Sequence, residues 1–386
     1  MNGRGEALGG GHHHLVPGAP DDPLRRVAQV RAGIPQPLGG VLLAPDDPLR
    51  HLEFLDTITT KRTQVMFNSL IRQCVFLVLT FLILTLISYL ILMQDPLNAE
   101  LMTPHFYSGY FHYLVRLIQG DLGISYNGGE ALKSTIFTVL PPTLELCFCA
   151  ILLATLFGIP LGLIGAIYPA NFIGKTIRTL SAVGLSLPVF WIAPILLYFS
   201  AINAWEISAI GQYNLLYEIK PISGFPIIDV WFVEAPYRIK IIQNVLQHLA
   251  LPTLVLTILP TMEIVRLVQQ RAEFIFQQNY VKVASTRGWS KFSVLRKYVL
   301  RNTLPLLIPH TTRLFTLVIT QCMLVENTLG WPGIGRWLID AVTQQDYNSI
   351  SAGIITIGLC IIIIKVASES LIFILDPLNK KGWHAR

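Results

Sequence analysis

Charge is what this sequence most lacks: Asp, Glu, Lys and Arg make up 13% of its 386 residues, against roughly 25% in a typical soluble domain. So little charge argues against a soluble enzyme. Ligand spacing is missing too. The five cysteines, at 74, 147, 149, 322 and 360, lie within or at the ends of apolar stretches and read as small apolar residues, not as a disulfide framework or metal site. No arrangement of Ser, His and Asp, and no carboxylate pair, stands out as catalytic. Gly174-Lys175-Thr176 has the form of the end of a phosphate-binding loop, but Pro169 stands where its first Gly is required, at a membrane boundary rather than between a strand and a helix. Gly330, Gly333 and Gly335 follow no strand pattern and make no dinucleotide fingerprint. These absences leave a chain that is not itself an enzyme and binds no cofactor or metal.

What is present is apolar: 52% of residues are hydrophobic, with a mean hydropathy of +0.54. Residues 1–65 stand apart. They are rich in Gly, Pro, His and Asp, and Ala19-Pro20-Asp21-Asp22-Pro23-Leu24-Arg25 returns as Ala44-Pro45-Asp46-Asp47-Pro48-Leu49-Arg50. Proline at that density opposes helix and sheet, so this part reads as a disordered extension outside the fold, with Met66 a plausible start. His12-His13-His14 in such a tail carries no site. Residues 66–386 then form one transmembrane domain. A helix crossing about 30 Å of hydrocarbon needs roughly 20 apolar residues, and stretches of that length run at about 74–93, 143–168, 180–202, 246–268, 304–326 and 351–375. The expectation is an all-α integral membrane protein with six transmembrane helices, several interrupted by proline.

Lys and Arg set its orientation. With a cytoplasmic N-terminus, sixteen of them flank the spans on the inside and six on the outside, and eight of the sixteen lie between Arg266 and Arg301. That asymmetry places both termini in the cytoplasm. It also accounts for the net charge of +6 without a nucleic-acid partner.

The segment between the fourth and fifth spans carries a pattern. Phe276, Tyr280, Val283 with Ala284, and Arg287 recur at helical spacing, so a helix there presents one stripe of aromatic and small residues. Gly288 can stop it in the left-handed conformation, and Ser290 offers an N-cap to a second helix carrying Phe292, Leu295 and Val299. By physics alone, a helix lying on the inner leaflet fits equally well.

Tyr280-Val281-Lys282-Val283-Ala284-Ser285-Thr286-Arg287-Gly288 followed by Leu300-Arg301-Asn302-Thr303-Leu304-Pro305 resembles the EAA loop of inner-membrane permease subunits of bacterial ABC importers, in the dipeptide and oligopeptide branch. Further signatures of that branch follow in order: Gly120-Asp121-Leu122-Gly123-Ile124-Ser125, Leu140-Pro141-Pro142-Thr143-Leu144-Glu145-Leu146, Gly158-Ile159-Pro160-Leu161-Gly162, Ser186-Leu187-Pro188-Val189-Phe190-Trp191, and Glu326 to Arg336. Leu375-Asp376-Pro377 closes the resemblance, which covers about residues 67–380. Two departures stand out. Lys282 replaces the motif's Glu and Val283 its first Ala, and Leu378-Asn379-Lys380 follows the terminal motif where basic residues are usual.

The resemblance implies a type I ABC importer permease fold whose loop is a coupling helix, with Phe276, Tyr280, Lys282, Val283, Ala284, Arg287 and Gly288 seated against an ATPase subunit. It implies a second homologous permease, two ATPase chains that hold ATP and Mg, a periplasmic substrate-binding protein, and peptide as substrate. Within the branch the Sap-type permeases, associated with antimicrobial peptides, are most similar. A polyamine (putrescine) exporter built from the same subunit types shares every motif. Ionisable residues inside spans face the bundle interior or water, which makes Glu145, His310 and Arg313 candidates for a substrate pathway, with Gln321 on the same polar span. Lys365 and Glu369, four apart, are expected to neutralise each other on one helix face.

Overall fold

The computed structural model describes residues 71–375 apart from 97, 99–104, 127, 208, 209 and 235. The expectations for residues 1–65 and for Asp376-Pro377 lie outside the described residues. Among the described residues, ten helices of eight residues or more carry the fold: α1 (Ile71–Leu92), α2 (Phe106–Ile118), α3 (Leu132–Ile167), α4 (Phe172–Ser186), α5 (Val189–Ile202), α6 (Arg238–Phe276), α7 (Asn279–Thr286), α8 (Leu307–Leu329), α9 (Ile334–Thr343) and α10 (Tyr347–Leu375). No strand occurs among the described residues.

α3 and α6 are the spine. At 36 and 39 residues they are roughly 54 and 58 Å long at 1.5 Å per residue, so both project beyond a hydrocarbon layer of about 30 Å. They meet through small residues. A Cβ on Gly158 would fall 2.8 Å from Ile264, on Gly162 2.8 Å from Val268, and on Gly165 2.9 Å from Gln269. The glycines let the backbones close in, as small residues do where helices associate in lipid. Because the contacts advance together along both chains, α3 and α6 run in the same direction. The segment between them must therefore return across the layer.

That return covers the stretch expected at 180–202, but as two helices and from further back in the chain. α4 and α5 meet at a bend of 99°. Pro188 caps α5, and the residue before a proline is pushed out of the helical region: Leu187 has φ −79° and ψ 123°. By length and composition, four helices can cross a membrane (α1, α3, α6 and α10), or five if the bent pair is one span. α8, the expected fifth span, falls short because His310, Arg313, Gln321 and its threonines lower its hydropathy. The count of six is thus not reached by that measure.

The buried interior lies where α3, α5, α6 and α8 converge, with Leu146, Val255, Phe315, Val318 and Trp331 at its centre. A second apolar cluster, including Ile264, Val268, Ile275, Val281, Ala284 and Val299, continues it to the end of the bundle that carries α7. α1 is largely bare and turns inward a polar stripe: Thr85 bonds the Tyr110 hydroxyl at 2.9 Å, and Ser88 bonds Tyr113 at 2.9 Å and Ser351 at 2.6 Å.

Candidate functional site

The segment after α6 folds as a short helix, a sharp stop and a second helical run. The stripe from Phe276 to Arg287 is not one helix. α6 ends at Phe276, and Gln278, extended at φ −70° and ψ 143°, starts α7 afresh. Phe276 packs on the second core cluster with Val281 and Ala284, so of the seven residues expected to face an ATPase, Phe276 and Ala284 point inward. Tyr280, Lys282, Val283, Arg287 and Gly288 are exposed. Val281 was missed, although as the buried neighbour of Ala284 it sets which way α7 faces.

The stop has a defined geometry. Gly288 adopts φ +81°, its N–H donates to the Ser285 carbonyl at 3.1 Å, and the Trp289 N–H donates to Ala284 at 3.3 Å. This pair of bonds is the Schellman arrangement, which needs a left-handed residue where Gly288 stands. Ser290 then caps the next turn, accepting from the Ser293 N–H at 3.2 Å, as its sequence position suggested. Behind the stop, Lys297 lies 4.5 Å over the Trp289 ring, and Tyr298 stands 5.9 Å from both Trp289 and Tyr280. The chain re-enters through a π-helical stretch at Leu295–Leu300 and a 3-10 turn at Leu304–Leu306. Pro305 cannot donate a backbone bond, so regular α-helical bonding is interrupted there.

Beyond this segment lies a charged cluster that sequence reasoning found only in part. Arg313 of α8 contacts Glu263 of α6 at 3.2 Å, and Arg266, one turn along α6, contacts the same carboxylate at 2.9 Å. Glu263 is 2% exposed at its side chain, whereas Arg266 is 40% and Arg313 60% exposed. The spacing Glu263-Ile264-Val265-Arg266 inside the fourth apolar stretch was the available signal for Glu263. Arg313 opens an uncovered polar stripe on α8 that continues through half-buried Thr316 and exposed Thr320, and resumes at Asn327 beyond exposed Leu324. His310 and Gln321 are half-buried at its flank. The structure does not bring Glu145 to this stripe. Glu145 accepts from the Ile227 N–H at 2.8 Å and Gln212 at 3.3 Å, tying the loop between α5 and α6 to α3. Nor do Lys365 and Glu369 pair. The Lys365 ammonium lies 3.8 Å over the Phe76 ring of α1, a cation stabilised by a ring face.

The far end of the fold is held by carboxylates that receive backbone donors. Glu326, fully buried, accepts from Gly335 N–H at 2.7 Å, Arg336 N–H at 3.2 Å and the Thr143 hydroxyl at 2.6 Å. The carboxylate sits at the positive end of α9. Gly330 turns the chain at φ +64° and Trp331 donates to the Pro142 carbonyl at 3.2 Å, so Glu326 to Arg336 forms a structural turn. In Gly120 to Ser125, Asp121 accepts from Gly123 N–H at 3.0 Å and Arg116 at 2.9 Å, and Ser125 donates to Asp346 at 2.7 Å. Asp229 accepts from the N–H groups of Ile222, Ser223 and Gly224 and from the Ser223 hydroxyl. Burial alone would raise its pKa, but these bonds outweigh it and hold the carboxyl below the usual range. Among the described residues no group of His, Cys, Asp and Glu is placed to hold a metal ion.

Residues 158–381 match the model of a family described as "binding-protein-dependent transport system inner membrane component". The peptide transport system permease protein SapB of Haemophilus influenzae is 62% identical over 321 residues, covering 83% of this chain and all of that protein. The putrescine export system permease protein SapB of Escherichia coli K12 is 36% identical over 82% of this chain and 98% of its own length. The di/tripeptide transport system permease protein DppB of Pseudomonas aeruginosa is 31% identical over 70% of this chain and 80% of its own. With several apolar helices, a glycine-packed spine and a helical stop on the family's loop, the chain is a multi-pass membrane protein that belongs to the binding-protein-dependent inner-membrane permeases of ABC transporters.

Proposed function

We propose that this chain is the permease subunit of an ABC system that moves peptides across the bacterial inner membrane by alternating access. It pairs with a second permease, two ATPases that bind ATP and Mg, and a periplasmic binding protein. The observation that carries the reading is α7. It is a short exposed helix held by a Schellman stop between the ends of α6 and α8, so a push on Tyr280, Val283 and Arg287 is transmitted to the two helices that share the Glu263 carboxylate. In this arrangement α8 is the fifth of six crossings. Its first turns lie beside Glu263, which neighbours the Gly158 level of α3, and its last residues lie beside Thr143, about 22 Å away along α3 at helical rise. Both termini are then cytoplasmic.

The named relatives support peptide as substrate: peptide transport is the printed role of the relative at 62% identity, putrescine export that of one at 36%. A putrescine exporter is the second reading, favoured only by that name. Reconstitution with co-purified partners decides between them. ATP-driven uptake of labelled peptide is the expected outcome. Recovery of the chain without any ATPase, or ATP-dependent movement of putrescine alone, overturns the proposal.

A further inference from the structure

The α6–α8 cluster does not balance its charge: two guanidinium groups share the single carboxylate of Glu263, which is buried while both arginines remain open. The Arg266 Nε is moreover buried with no hydrogen-bond partner, and a buried unmade hydrogen bond to a charged donor is costly. Ionisable groups at membrane depth are stabilised by water or by a counter-charge. Arg313 leads into the uncovered stripe of Thr316, Thr320 and Asn327 on the same face of α8. The threonines return their hydroxyl protons to their own helix, Thr316 to Thr312 and Thr320 to Thr316, and still present oxygen to the open side.

We propose that Arg266 and Arg313 form a carboxylate-binding site on the translocation path, which holds the C-terminal carboxylate of a peptide in transit. Two forked donors presented by neighbouring helices suit a planar carboxylate. The net positive charge disfavours a polycation such as a polyamine. α6 leads into α7 and α8 follows it, so closure driven through the coupling segment changes the spacing of the two arginines. The carboxylate is thereby held in one state of the transporter and released in the other. This inference rests on the peptide-transport reading above.

The test uses the whole complex in proteoliposomes with trialanine and trialanine amide as probes, comparing KM for the free acid with KM for the amide. The binding protein is the same in every preparation, so its own preference cancels when variants are compared. Arg313→Gln and Arg266→Gln each leave Glu263 with one guanidinium and so do not strand the buried carboxylate. Each is expected to lower the acid-over-amide preference by about tenfold, which corresponds to roughly 1.4 kcal/mol. Arg313→Lys is expected to retain part of it. An acid-to-amide ratio equal to wild type in both Gln variants, or a uniform fall in uptake of both probes, overturns the carboxylate site while leaving peptide transport standing. A wild-type complex that moves neither peptide overturns both readings.

Discussion

At the scale of single residues, the carboxylates outside the charged cluster act as receivers of backbone donors. Glu326 is the clearest. Replacing it with Ala leaves the buried Gly335 N–H unpaired, at about 1–3 kcal/mol, and takes the acceptor from the part-buried Arg336 N–H and the short bond from the Thr143 hydroxyl. Glu326→Ala is therefore expected to lower the unfolding temperature sharply in detergent, and Glu326→Gln, which keeps an acceptor, to lower it less. Asp229 gives a pH-dependent counterpart. Its pKa is lowered in the folded loop, so its stabilisation is complete above the ordinary Asp value of about 3.9 and is lost as pH falls through the lower folded value. Limited proteolysis of the loop between α5 and α6 is expected to accelerate in that acid window in the wild type and to lose this pH dependence in Asp229→Asn. Little of this was legible in one dimension. Glu145 reads as an intramembrane acid in sequence, and only its bonds to Ile227 and Gln212 reveal that it anchors a loop.

At the scale of elements, the glycines decide two things: how close α3 and α6 come, and where α7 stops. A side chain at Gly162 would meet the Val265 carbonyl at 2.9 Å as well as Val268, so Gly162→Val is expected to cost about 1–3 kcal/mol by overpacking, read as reduced yield of the folded protein from membranes. Gly288 differs, because a Cβ there meets nothing within 4 Å but φ is +81°. A β-branched residue in that conformation costs roughly 1–2 kcal/mol without a clash. Gly288→Val is thus expected to leave the protein in the membrane at normal amounts while transport falls relative to ATP hydrolysis; equal coupling in vesicles would count against the role given to α7. The stop at Gly288 and the cap at Ser290 were legible because both are local. The break between Phe276 and Asn279 was not, since Gln277 and Gln278 are acceptable helix formers. What ends α6 there is the packing of Phe276, Val281 and Ala284 into one apolar cluster.

At the scale of the whole molecule, the parallel run of α3 and α6 requires a return crossing between them, which the bent α4–α5 pair supplies at 99°. The charged cluster then closes α8 onto α6. Reversing Glu263 to Lys would set three positive groups together with no counter-charge and is expected to abolish folding, whereas the double change Glu263→Gln with Arg313→Gln, which removes one charge of each sign, is expected to restore membrane insertion in the same fractionation. Composition and pattern alone determined the membrane class, the position of the apolar stretches and the family loop with its glycine stop, and set an expected orientation from Lys and Arg. These properties follow from hydropathy, charge placement and local backbone preference, which neighbouring residues specify. Tertiary structure alone decided that the third stretch is a bent pair, that Glu263 receives Arg313, that Lys365 rests on Phe76 instead of pairing with Glu369, and that Val281 and Ala284 turn α7 outward. Each depends on which helices meet and in what register, and that is set by packing between residues far apart in the chain.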